Sequence, residues 1–177
     1  MATQKQQGIK KQLTKGFVKV AIIGAIAAVI GIVALQIAAM QYEKALSRYG
    51  FTQGDIGKAV AAFSESRSAL RAVVDYDDKA VIDKQIELHD QKKEAFETYI
   101  DELNRSIKFT EGRDVYNKVL QELDGYWELD AQVLELATSD DEDGYLKAQD
   151  LDIGDLTAQY ERIYAEFVDL MNLCVEK

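Results

Sequence analysis

Val20–Tyr42 reads VAIIGAIAAVIGIVALQIAAMQY and holds no charged residue. The stretch is 23 residues long, about 35 Å as a helix at 1.5 Å per residue. A hydrocarbon core is about 30 Å thick, so the stretch is long enough to cross it. Lys5, Lys10, Lys11, Lys15 and Lys19 all precede it, with no acidic residue among them. Lysines on one side set orientation, which puts the N-terminus in the cytoplasm. A cleaved signal peptide has an apolar region of only about 7–15 residues, so the longer run reads as an uncleaved anchor. The expected organisation is a basic cytoplasmic tail over 1–19, a transmembrane helix over 20–42 and an extracytoplasmic domain over 43–177, held at the plasma (inner) membrane.

Beyond the first five lysines the chain has 16 basic residues against all 31 acidic ones. So acidic a body is unsuited to nucleic acid. Cys174 is the only cysteine and allows no internal disulfide.

There is no proline, so nothing interrupts very long helices. Apolar residues recur in steps of three and four almost everywhere. The first seam is Tyr42, Leu46, Tyr49, Gln53, Ile56, Val60, Phe63, Arg67, Leu70, Val74. This helix is continuous with the transmembrane helix and runs to about Asp75. A turn at DYDDK precedes a second helix over about 79–108, with Ile82, Ile86, His89, Lys93, Phe96, Ile100, Leu103 and Ile107 on one face. After FTEGR, a third helix carries Tyr116, Leu120, Leu123, Trp127, Asp130, Leu134 and Ala137. After TSDDEDG, a fourth carries Leu146, Gln149, Ile153, Leu156, Tyr160, Ile163, Phe167, Leu170 and Cys174. Such steps specify nearly aligned helices with interlocking side chains. Short connections make neighbours antiparallel. The expected fold is all-α: a membrane-anchored, up-down-up-down antiparallel four-helix bundle.

The first helix also carries a second stripe: Ser47, Gly50, Gly54, Gly57, Ala61, Ser64 and Ser68. It lies about 100° round from the apolar seam. These glycines do not match a phosphate loop, because Thr52 stands where its first glycine belongs and Ala59 where its hydroxyl belongs. Small residues at this spacing admit a close second backbone. That backbone is either a neighbour in the same bundle or a symmetric partner meeting Gly50, Gly54, Gly57, Ala61 and Ser64.

The segments YGFTQGDIGKAV, SRSALRAVVDYDD, LHDQKKEAFETYI and LDGYWELDAQVLEL, placed after a membrane helix, resemble bacterial methyl-accepting chemotaxis proteins. The resemblance is to their four-helix-bundle sensor domain and covers nearly everything from Tyr42 onward. It implies a homodimer through the first helices, a ligand at the membrane-distal end, and signalling by a helix shift across the membrane. The family's second span, relay domain and methylated hairpin have no counterpart in these residues, so the likeness is to the input half of a receptor. The other reading is a single-pass, membrane-anchored helical scaffold that binds another protein and no small molecule.

Four polar residues interrupt the seams: Arg67, His89, Asp130 and Gln149. Helical rise puts all four in one layer, about 9–15 Å from the distal turns. A buried charge needs a partner. Arg67 opposite Asp130, with His89 beside them, forms a self-satisfied layer. Alternatively, Arg67 and Gln149 face a ligand. Arg71 continues the small stripe. It forms either an i, i+4 pair with Asp75 or, with Arg67 and their symmetric copies, a cluster suited to a small anion. The candidate ligand-binding residues are therefore Arg67, Arg71 and Gln149.

No metal or cofactor site is expected. The acidic stretch after Thr138 misses two ligands of a calcium loop, where Ser139 and Asp150 stand. One histidine cannot furnish a di-iron bundle. No nucleophile is paired with a base, so the chain reads as no enzyme.

Overall fold

The computed structural model describes residues 2–175 except 140, with the side chains of 2–13, 48 and 142 outside the description. The chain falls into two units, meeting between Ala45 and Leu46. The first is a single helix, α1 (Ala2–Ala45). Its Thr14–Ala45 portion is long and apolar enough to cross a membrane.

The second unit is a bundle built from α2 (Phe51–Asp75), α3 (Lys79–Ser106), α4 (Thr110–Ala137), α5 (Glu142–Leu151) and α6 (Thr157–Val175). A π turn, Leu46–Gly50, precedes α2, and a second, Asp152–Leu156, joins α5 to α6. The last two helices and their π turn make one long fourth arm. Among the described residues there is no strand.

Local chemistry sets the ends. Asp78 caps α3, accepting from the Ala80 and Val81 amides at 2.8 and 3.3 Å. This satisfies donors that a helix start leaves without partners. Arg113 serves the opposite end of α3, donating to the carbonyls of Asn104 (3.0 Å) and Ile107 (2.9 Å). Asp141 caps α5 through the Asp143 amide at 3.2 Å.

α2 lies closest to α3, and α4 closest to α5 and α6. The structure is thus two tight hairpins laid face to face. Polar contacts show the antiparallel order. Thr52 at the start of α2 donates to the Ser106 carbonyl at the end of α3 (2.9 Å). Gln159 of α6 donates to the Glu122 carbonyl of α4 (2.8 Å). A Cβ at Gly125 would lie 2.8 Å from the Gln159 amide, so glycine allows this close crossing.

Phe63 is the hub of the core. Its ring lies 4.8 Å from Tyr126, 5.1 Å from Tyr160 and 5.2 Å from Phe96, so one α2 side chain touches α3, α4 and α6. Burying rings of this size supplies much of a bundle's stability.

The seams hold for α2, α3 and α6 and shift in α4 and α5. In α4 the buried positions include Val119, Tyr126 and Val133, whereas Leu120 is exposed. In the fourth arm before Leu156 the buried residues are Gly144, Ala148 and Asp152, and the last two lie one place earlier than the expected Gln149 and Ile153. Leu146 and Ile153 are 53% and 68% exposed. The cause is the second π turn, which holds one residue more than an α turn and rotates what precedes it.

The small stripe of α2 faces outward at Gly54, Gly57, Ala61 and Ser68. A Cβ built at Gly54 or Gly57 meets nothing within 4 Å, and at Gly50 it meets only Leu46 of the preceding turn. Packing inside this bundle therefore does not account for Gly54 and Gly57. Ala61 is exposed, while Ser64 is half-buried and shares a hydrogen bond of 2.9 Å with the Tyr160 hydroxyl.

Candidate functional site

Arg67 is 4% exposed, so its guanidinium needs partners from the protein. It has three. One Nη bonds the carboxylate of Asp152, itself 3% exposed. The other donates to the Asp152 carbonyl (2.9 Å) and to the Thr157 hydroxyl (2.8 Å). Thr157 in turn donates to the same carbonyl at 2.7 Å. Arg67 therefore grips both the side chain and the backbone of the residue that opens the π turn. This corrects the expected pairing of Arg67 with Asp130.

Arg71 lies one turn on, with its side chain 56% exposed, and places Nε 3.7 Å from the second Asp152 oxygen. Its ion pair thus runs to Asp152 and not to Asp75. Two guanidiniums converge on one carboxylate, an arrangement that offsets their mutual repulsion. Gln149 is not among them; its amide donates to the Tyr145 hydroxyl at 2.9 Å, within α5. The structure thus brings together Arg67 and Arg71, adds Asp152 and Thr157, and leaves Gln149 apart. The sequence marked the arginines by a charge in an apolar seam, but Asp152 lies off that seam. The clue to it is Gly154, an isolated glycine two residues later in an otherwise helical run.

His89 and Asp130 form a second buried pair, between α3 and α4. His89 Nε2 lies 3.0 and 3.2 Å from the two Asp130 oxygens, and Nδ1 lies 3.1 Å from exposed Asp90. Burial, the largest influence, disfavours the imidazolium; the hydrogen bond and charge of Asp130, aided by Asp90, outweigh it and hold the pKa above 6.5. Between the two polar pairs stands Tyr126, fully buried, whose hydroxyl has no hydrogen-bond partner among the described residues. Burial first, and then the charge of Asp130, pushes this phenol far up. Such an unpartnered hydroxyl costs about 1–3 kcal/mol.

The geometry is that of a helical bundle cross-braced by polar pairs. Against known families, residues 7–177 match the model of a four helix bundle sensory module for signal transduction. The chain belongs to that family. No curated protein and no solved structure matches it. This sensory module is of the methyl-accepting chemotaxis type, with one candidate membrane span at its N-terminus. Among the described residues, no group of three or more His, Cys, Asp or Glu side chains is arranged to hold a metal ion.

The His89–Asp130 pair makes the stability of the sensory module depend on pH with a definite sign. A histidine whose folded pKa is raised stabilises fully below its unfolded value, about 6.5, and loses that contribution as pH rises through the folded value. The melting temperature should therefore fall as pH rises above about 6.5, and His89→Gln should remove that slope. Parallel profiles for the parent and His89→Gln would show that the pair carries no charge-dependent stability.

Proposed function

We propose that this sensory module is the input half of a methyl-accepting chemotaxis-type receptor and binds a small anion at the membrane-distal end of a dimer. The supporting observation is the convergence of Arg67 and Arg71 on the carboxylate of Asp152. A carboxylate already occupies the pair, so a ligand carboxylate or phosphate is chemically matched to it. Such a ligand would compete with Asp152 and thereby act on the fourth arm while its guanidiniums stay on α2. A ligand shifts a helix only by binding one arrangement better than the other, and competition with an internal carboxylate supplies that difference.

The dimer would form through the small face of α2. The open space over Gly54 and Gly57 supports this reading, since two helix glycines cost roughly 0.5–1 kcal/mol each relative to alanine and no contact within the bundle repays them. The lysines before the apolar run favour a cytoplasmic N-terminus and an extracytoplasmic bundle.

A thermal-shift screen of the full chain in detergent with amino acids, organic acids and phosphates tests the ligand. An anionic ligand should raise the melting temperature of the parent. Arg71→Ala should abolish that rise while costing at most about 0.5 kcal/mol of intrinsic stability, as expected of an exposed ion pair. An anion that stabilises Arg71→Ala as well as the parent places the site elsewhere. A chain that no anion stabilises fits the scaffold reading.

One crosslinking experiment tests interface and orientation together. With Cys174→Ser to silence the native thiol, Gly54→Cys should give a covalent dimer when intact cells meet a membrane-impermeant bifunctional thiol reagent. Crosslinking only after lysis would reverse the orientation. Single labelling without dimers would remove Gly54 from any symmetric interface.

A further inference from the structure

The fourth arm carries two registers in its sequence and displays one. Before Leu156 the buried residues, Gly144, Ala148 and Asp152, recur in steps of four. Gln149 and Ile153 lie one place later than the last two, and with Leu146 they run in unbroken α-helical steps into Leu156, Ile163 and Phe167. The π turn at Asp152–Leu156 separates the two patterns. Its extra residue turns α5 by about 100° and offsets it by about 1.5 Å relative to an uninterrupted helix.

Hydrophobicity does not select the observed register. It leaves Leu146 and Ile153 largely in solvent and puts a carboxylate in the core. What selects it is the clasp on Asp152: the Arg67 guanidinium on its carboxylate and carbonyl, and the Thr157 hydroxyl on the same carbonyl. The turn is also easily remade. Gly154 within it is exposed with open space around its Cβ position, and no described residue of the arm has a positive φ. Either register therefore uses ordinary helical backbone.

We propose that α5 is a two-state register element. With Arg67 clasping Asp152, the π turn stays at 152–156. With the clasp released, the extra residue runs out through the N-terminal end of α5. The arm then becomes one continuous α-helix that buries Leu146, Gln149 and Ile153 and turns Ala148 and Asp152 outward. This rests on the packing and the clasp, and stands whether or not the arginines bind an anion.

Thiol reactivity in the full chain distinguishes the registers, with buried Cys174 of α6 as an internal reference. In the parent background, Ile153→Cys should label fast and Ala148→Cys slowly. Adding Arg67→Met should slow the thiol at 153 and speed the one at 148, each about tenfold, as a shift between two populated states requires, with Cys174 unchanged. Deleting Gly154 removes the extra residue, so Arg67→Met should then exchange nothing. The proposal is overturned if, in folded Arg67→Met, the thiol at 153 stays fast and that at 148 stays slow. It is equally overturned if 148 and Cys174 speed up together while 153 is unchanged, which is loosening of the core, or if the exchange survives deletion of Gly154. Should Arg67→Met fail to fold, Asp152→Asn in the same two cysteine backgrounds decides by the same criteria.

Discussion

A guanidinium with almost no access to water sets the terms of this bundle. Arg67 enters the core from α2, one turn from the aromatic hub at Phe63. Leaving such a charge unpaired costs about 3–5 kcal/mol. The Asp152 carboxylate is what meets it, so Asp152 must point inward. Asp152 can do so only if α5 is rotated out of the register that its apolar residues favour. The π turn, the exposure of Leu146 and Ile153, and the approach of Arg71 to the same carboxylate all follow. Burying an aliphatic side chain of that size is worth about 1.5–3 kcal/mol. Two such side chains are comparable with one broken buried ion pair, so the opposing terms are closely balanced.

The second polar pair extends this logic. α2 with α3, and α4 with the fourth arm, form the two closest helix pairs. Arg67–Asp152 joins one helix of each hairpin, and His89–Asp130 joins the other two. Both braces lie in the half of the bundle where α2 and α4 end. The other half has Ile100, Leu103, Ile107, Phe109 and Leu170 and is held mainly by apolar contact. A sensory module built this way concentrates its buried ion pairs at one end, while exposed pairs such as Lys58–Glu102 lie elsewhere. A change in those contacts biases how one hairpin lies on the other without dismantling the core.

Much of this was legible in the sequence, because helices in a bundle reveal themselves by period. The membrane-length run, the turn after Asp75 and the buried faces of α3 and α6 follow from spacing alone. The polar layer was legible too, since Arg67, His89 and Asp130 interrupt apolar seams and are all buried. Its pairing was not. Heights reckoned from regular helical rise assume that every helix is regular, and a single added residue in the fourth arm falsifies that for everything before it. Asp152 was hidden by the same step, because an acid beside Ile153 looks solvent-facing in an unbroken helix. In α4, Tyr126 and Trp127 are adjacent large aromatics, and period alone does not say which goes deeper. Spacing alone sets the glycines of α2 on a second face but does not say what meets it; the structure shows open space over Gly54 and Gly57.

The contact between Arg67 and Asp152 organises the fourth arm. A double-mutant cycle in the full chain tests it directly, with unfolding followed by the fluorescence of Trp127, the only tryptophan. Arg67→Met and Asp152→Leu are measured singly and together, and Arg67→Met is then cycled against Asp130→Leu. If Asp152 is the partner of Arg67, the coupling between them exceeds about 1 kcal/mol, while Arg67 and Asp130 are additive within about 0.5 kcal/mol. Additivity between Arg67 and Asp152, with strong coupling between Arg67 and Asp130, would contradict that pairing.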